Sequence, residues 1–315
     1  MKFLENKFED YIYKVKKNNI HKNKKKILDE YNDIQTLNNL IFYGPSGVGK
    51  YSQMLYFIKK FSPSDLKYER KITYVFNNKY EYTFKISDVH FEIDMELLGC
   101  NSKLLFNELY HHIIDVCQSK GTKYNLIVCK NFHCIHSELL ENFYSYMQSI
   151  DHKNIVLKFI LLTEQVSFIP KNILDRCQII SFPTLTETNY KKLSNQSQEK
   201  DYKNLKDCIL SIKKNDNYDN KKIVKTLYDM IVNYKTIQYL IFRENCYDIF
   251  IYGLDLNEVI YSIISRLINE EYLKIENLQN VLTNYYDFLK YYNNNYRPIY
   301  HLECFFFKMI MQLEN

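Results

Sequence analysis

The chain has 315 residues, of which 46% are hydrophobic and 16% aromatic, with 30 Tyr and 20 Phe but no Trp and no Ala. That length and apolar content exclude general disorder, allow a large buried core and suggest two or three domains. A formal net charge of +5 with 25% charged residues permits a nucleic-acid partner but falls short of a dedicated DNA-binding module.

Residues 1 to 38 are lysine-rich and read as helical. The opening sequence MKFLENKFEDY has neither a signal-peptide core nor a lipidation site, and no apolar run reaches 18 residues. An intracellular, soluble chain with no membrane partner is expected. The lysine clusters at Lys14 to Lys26 and Lys213 to Lys222 read as solvated surface.

Leu40, Ile41, Phe42 and Tyr43 form an apolar run of strand character that leads into Gly44, Pro45, Ser46, Gly47, Val48, Gly49, Lys50 and Tyr51. Three of the six glycines in the chain fall in this stretch. From Tyr51 to Phe61 the residues Met54, Leu55, Phe57, Ile58 and Phe61 recur at helical spacing. Strand, glycine turn and helix is the order of a phosphate-binding loop, G-x-x-x-x-G-K-[ST]. In such a loop the backbone N–H groups and the helix N-terminus hold phosphates, the lysine reaches the β/γ-phosphates and a small hydroxyl binds Mg²⁺. Tyr51 takes the last place. Its rigid phenol extends too far from the backbone to replace a serine hydroxyl at octahedral Mg²⁺. The loop is therefore expected to bind ATP or ADP weakly or not at all, without cleaving it, and Mg²⁺ is not expected.

Beyond the loop, Lys71 to Val75 and Tyr80 to Ile86 alternate as strands around Asn77-Asn78, and His90 to Ile93 offers another short strand. Ser102 to Cys117 carries Leu104, Leu105, Leu109, Ile113 and Val116 in helical register. Asn125 to Cys129 reads as a buried parallel strand, and Ser137 as the N-cap of a helix to Ile150. Val156 to Leu162 and Gln178 to Phe182 are the last strands. Strands alternating with helices imply an α/β core with a doubly wound parallel sheet over residues 1–183. A polar stretch, 184–219, with one short helix near Leu205 to Ile212, would be a small helical lid. Lys222 to Phe242, Leu256 to Ile268, Ile275 to Tyr292 and Pro298 to Leu313 read as helices of an all-α domain over 220–315.

Eight cysteines are scattered without any C-x-x-C and read as small core residues. Cys129, His133, Cys134 and His136 are metal-capable but lack standard zinc spacing, so no metal is assigned.

Ile173-Leu-Asp-Arg-Cys177, directly before the strand Gln178 to Phe182, resembles the S-R-C box of replication factor C small subunits, the AAA+ clamp-loader family. Pro298-Ile-Tyr-His-Leu-Glu-Cys-Phe-Phe-Phe-Lys308 is similar to the last collar helix of the branch whose own ATPase site is degenerate. The resemblance implies an AAA+ core, a shortened lid and a C-terminal collar. It also implies that Arg176 acts in trans as a finger on the ATP of a neighbouring subunit, a role suited to permanent charge and planar donors. Asp175 replaces the family serine, and five of the 42 basic residues are Arg. The family places an acidic pair after the strand that here ends in Lys130-Asn131. A lysine there repels Mg²⁺, and no general base is nearby. Thr163 falls at the first sensor position, Lys206 at the second, and Lys103 beside Ser102 is the best candidate for DNA phosphate contact.

The implied partners are the other subunits of a hetero-pentameric clamp loader, the sliding clamp and primer-template DNA. The implied place is the nucleus, or a cytoplasmic viral replication compartment. Two other readings compete. One is a self-sufficient P-loop ATPase or nucleotide kinase that recruits Asp94 or Glu92 for Mg²⁺; the other is a helical scaffold with a vestigial loop.

Overall fold

A computed structural model describes residues 7–76, 80–121, 123–148, 155–186, 189, 205, 220–252, 254–292 and 298–313. The chain divides into two compact units, Asn6–Cys208 and Ile209–Asn315. The helix expected near Leu205 to Ile212 and the turn at Asn77-Asn78 lie outside the described residues, apart from Leu205 itself.

In the first unit α1 (Phe8–Lys17) and α2 (Lys22–Asp29) precede β1 (Asn39–Tyr43), α3 (Lys50–Ile58), β2 (Arg70–Phe76), β3 (Tyr80–Ile86) and β4 (His90–Asp94). There follow α4 (Ser102–Lys120), β5 (Tyr124–Lys130), α5 (Ser137–Met147), β6 (Val156–Thr163), α6 (Lys171–Leu174) and β7 (Cys177–Ser181). The seven strands form one sheet in the order β2-β3-β4-β5-β6-β1-β7. From β4 to β7 every neighbouring pair is parallel, while β2, β3 and β4 pair antiparallel.

Strand alternation assigns the two faces of the sheet. Ile41, Phe91, Ile93, Ile127, Cys129, Phe159 and Leu161 pack with Phe106, Leu109 and Ile113 of α4 and Leu139 and Phe143 of α5. Leu40, Phe42, Leu126, Val128, Ile160 and Leu162 pack on the other face with Phe8 and Ile12 of α1 and Met54, Leu55 and Ile58 of α3. A period of two with both faces apolar is why these strands read as continuous hydrophobic runs, and why helices must cover both sides. This is a mixed α/β, doubly wound fold with a mostly parallel sheet. One local expectation fails: the N-cap of α5 is His136 rather than Ser137, and no side chain caps it. Ser137 already lies inside the helix.

The second unit is helical: α7 (Asn220–Val232), α8 (Tyr239–Tyr252), α9 (Leu256–Asn269), α10 (Ile275–Tyr292) and α11 (Pro298–Leu313). Asp255 caps α9, its carboxylate accepting the N–H groups of Asn257 and Glu258. The single helix expected from Lys222 to Phe242 is two. The chain breaks at Asn233, makes a 3₁₀ turn over Tyr234–Thr236 and restarts at Tyr239. Periodicity hid the break because Tyr234 and Ile237, within it, also pack on the same core.

The segment beginning at Pro298 now has a physical account. Ile299, Leu302, Phe305 and Phe306 are buried, and the buried Glu303 carboxylate accepts from Arg243 Nε at 2.6 Å and Nη2 at 2.8 Å. The guanidinium lies over the rings of Tyr239 and Tyr300, at 4.7 and 5.5 Å from their centroids, so α8 and α11 are joined by a bidentate pair with fixed geometry. Phe306 is fully buried against Phe242 and Phe305. Phe306→Ala should destabilise the helical unit by about 3–5 kcal/mol, measured as a fall in the urea midpoint of its far-UV signal.

Candidate functional site

The parallel strands bring the site together, because their carboxyl ends share one edge of the sheet, where open α/β sheets bind ligands. Tyr43 of β1 is in register with Thr163 of β6, and Asp94 of β4 with Lys130 of β5. Thr163, more than a hundred positions further along the sequence, therefore ends beside Gly44.

The loop leaves β1 through a close approach. Phe182 N–H donates to Tyr43 O at 2.6 Å and Gly44 N–H to Thr163 O at 3.3 Å. A Cβ on Gly44 would lie 2.2 Å from the carbonyl oxygen of Phe182, so only glycine fits. Gly47 and Gly49 take φ of 69° and 93°, conformations that glycine adopts without penalty, and Gly49 caps α3. His21 supports the loop from outside, its Nε2 lying 2.8 Å from Val48 O. A carbonyl can only accept, so the ring nitrogen donates. Burial pushes the imidazole below its ordinary value; the Val48 hydrogen bond opposes this and Lys24 adds to it. Leu205 N–H donates to Gly47 O at 2.9 Å, and its side chain lies against Gly49. Its neighbour Lys206 lies outside the described residues.

Lys50 lies along its own loop. Its Nζ donates to Gly44 O at 2.5 Å and to Pro45 O at 2.8 Å. Burial lowers the ammonium pKa, and the charge of Glu164 partly restores it. Thr163 is fully buried. Its hydroxyl donates to Gln165 O at 2.6 Å and accepts from Gln165 N–H at 3.3 Å, which closes a small turn after β6 and leaves the hydroxyl engaged at home.

Tyr51 points away from the place of a metal-binding hydroxyl. Its OH donates to the carboxylate of Glu92, at 2.8 and 3.0 Å from the two oxygens. The ring packs edge-on to Tyr11 at 5.1 Å, and Lys130 Nζ lies 4.9 Å from its centroid. Glu92 is buried and also lies 3.2 Å from His90 Nε2, while His90 Nδ1 is 2.5 Å from Ser87 Oγ. Burial raises the Glu92 carboxyl, but the His90 hydrogen bond and charge, Lys130 and the Tyr51 hydroxyl together hold it below its ordinary value. Burial, then the charge and hydrogen bond of Glu92, push the Tyr51 phenol well up, so it remains a donor.

The residues present do not fit Mg²⁺. Glu92 is engaged by Tyr51 and His90, and Asp94 Oδ1 and Glu96 Oε2 both accept from the Asn131 amide, at 2.9 and 3.3 Å. Lys130 occupies the strand end. Among the described residues no group of three or more His, Cys, Asp or Glu side chains could hold a metal ion, and Cys129 belongs to the core. Sequence reasoning named Glu92 as a stand-in metal ligand but missed that Tyr51 would engage it. It missed Glu164, whose charge acts on Lys50 and His133, and weighed His133 only as one of a metal-capable group with Cys129, Cys134 and His136. Burial lowers His133, Glu164 raises it, Lys50 lowers it, and Glu96 and Asp94 raise it.

Arg176 follows α6 and is exposed. Among the described residues no side chain holds its guanidinium. Lys103 is exposed in the first turn of α4, beside the buried Ser102, whose hydroxyl has no hydrogen-bond partner among the described residues.

No protein-family model matches the sequence, and no curated protein matches it. Among solved structures the chain is similar to the Thermotoga maritima RuvB Holliday junction branch migration motor, at 13% identity and a TM-score of 0.36, over 56% of this chain and 49% of that one. A variant of the same RuvB with a threonine replaced by valine matches at 12% identity, with the same TM-score and coverage. The chain spans about half the length of the solved structures it matches. Likeness at this level bears on neither activity nor partners. No helix among the described residues is long and apolar enough to cross a membrane.

The Glu92 network predicts an acid-sensitive stability. A carboxyl held below its unfolded value of about 4.3 stabilises the fold above that pH and loses the effect as pH falls through the lower folded value. Tyr51→Phe removes one acceptor-satisfying hydroxyl at a cost of about 1–3 kcal/mol. By letting the folded Glu92 value rise toward the unfolded one, it should also shrink the stability lost on acidification and complete that loss at a higher pH, read from urea midpoints measured across pH 3 to 7.

Proposed function

We propose that this chain is a subunit of a clamp loader of the replication factor C type, built on an AAA+ core. In this reading it binds ATP or ADP weakly, without hydrolysing it, and supplies Arg176 to the nucleotide of a neighbouring subunit. One contrast carries the reading: an exposed guanidinium with no described partner, on a chain whose loop ends in a tyrosine turned to Glu92 and where, among the described residues, no group of three His, Cys, Asp or Glu side chains could hold a metal. The other implied partners are sibling subunits of a hetero-pentamer, a sliding clamp and primer-template DNA, with Lys103 contacting phosphate.

The loop geometry supports retention of phosphates through N–H donors and Lys50. The same geometry argues against turnover, since phosphoryl transfer relies on a positioned metal and an oriented nucleophile. A self-sufficient ATPase is disfavoured because Glu92 already accepts from Tyr51, and Asp94 from Asn131. A helical scaffold with a vestigial loop predicts that no nucleotide binds, and purification from the native source distinguishes it. The clamp-loader reading expects four related ATPase subunits and a ring-shaped clamp to come with the chain.

Two measurements test the chemistry. The purified chain should show no appreciable single-turnover hydrolysis of ATP. A rate comparable to active loaders that disappears in Lys50→Ala would overturn the reading. In the assembled complex Arg176→Ala should leave assembly intact and slow hydrolysis at the served site by roughly a thousandfold. An unchanged rate would remove the finger role.

A further inference from the structure

Lys130 is a half-buried ammonium whose charge acts on the buried Glu92 carboxylate through space without forming an ion pair with it. It closes β5 at the carboxyl edge of the sheet, in register with Asp94, and its Nζ rests 4.9 Å from the Tyr51 ring. Tyr51 directly follows Lys50 in the first turn of α3, so this charge stands beside the helix end that faces the loop. Among the described residues no carboxylate oxygen lies within ion-pair distance of it. Glu92 is satisfied by the Tyr51 hydroxyl and by His90, while Asp94 and Glu96 are drawn to the Asn131 amide. Lys50 likewise contacts two carbonyls, Gly44 O and Pro45 O, which are weaker partners for an ammonium than a phosphate oxygen.

One ammonium therefore lies on the loop and a second against the Tyr51 ring at the start of the helix that follows it, at a place where the residues do not suit Mg²⁺. We propose that Lys130 supplies the counter-charge that a divalent cation supplies in loops ending in serine or threonine, so that the site takes a metal-free nucleoside di- or triphosphate. Lysine suits this role because it is a compact point charge with three rotatable donors on a flexible stem. A metal-complexed nucleotide would bring two further positive charges against Lys130, and among the described residues no group of three carboxylate, His or Cys side chains could receive them. The inference rests on the nucleotide-binding part of the proposed function and adds which form of the nucleotide binds and which residue selects it.

The test is calorimetric titration of the full chain with ATP and with ADP, once in Mg²⁺ and once in excess EDTA. Affinity should be equal or tighter in EDTA. Lys130→Ala should weaken binding in EDTA by roughly tenfold or more, Lys130→Arg should retain most of it, and unchanged melting curves would show that both variants fold. Lys50→Ala should abolish binding and so tie the signal to the loop. Binding that Mg²⁺ tightens tenfold, and that Asp94→Asn then removes, would overturn the inference and restore a metal site. Unaltered affinity in Lys130→Ala would also overturn it. Binding in neither condition would instead sink the nucleotide reading itself.

Discussion

The hydrogen bond from Tyr51 to Glu92 decides what the loop can do. A serine or threonine at that position keeps its hydroxyl within the first helical turn, beside the phosphates. The phenol carries its hydroxyl across to β4, where a buried carboxylate accepts it at 2.8 Å. The ring that spans this distance then provides the surface on which Lys130 rests. One substitution thus removes a metal ligand, engages a carboxylate that could have replaced it, and seats a cation in the space between. These changes support one another, since an unpaired Glu92 at that depth would be costly, and Tyr51, His90 and Lys130 each relieve it.

The sheet explains why the effects reach so far. In parallel strands with a shared carboxyl edge, residues of very different sequence position meet at hydrogen-bonding distance. Asp94 and Lys130 are register partners on adjacent strands, so opposite charges sit side by side where an active site of this type would concentrate carboxylates. Asn131, at φ 49°, turns the chain immediately after β5 and gathers Asp94 and Glu96 to its amide. The acidic groups are present near the loop, but they face an amide donor.

Much of the first unit was legible because its signal is hydrophobic alternation. Leu126 to Cys129 and Phe159 to Leu162 are apolar on both faces and could only be buried strands. Gly44 to Lys50 has a spacing that few other structures require. The break at Asn233 was not legible, since Tyr234 and Ile237 continue the apolar period through a 3₁₀ turn that no glycine or proline marks. The cap of α5 was missed by one residue because a serine beside a helix start invites the role whether or not its hydroxyl performs it. The Tyr51–Glu92 contact was beyond sequence reasoning for a different reason. It depends on which face of β4 carries Glu92, and that follows from pairing with β5 rather than from the composition of a five-residue strand.

The glycines that first mark the loop carry less functional weight than the lysines. Gly44 is required by the approach of Phe182 to β1, and Gly47 and Gly49 by left-handed backbone that starts α3. Those demands belong to folding and would hold in a loop that never met a phosphate. Lys50 and Lys130 have no such excuse. Each is a half-buried ammonium with no carboxylate oxygen at ion-pair distance among the described residues; Glu164 acts on Lys50, and Lys130 on Glu92, through space, so each charge is compensated only in part. An anion at the loop would complete the compensation of both, so the two lysines add to a nucleotide reading that the loop's N–H donors already support.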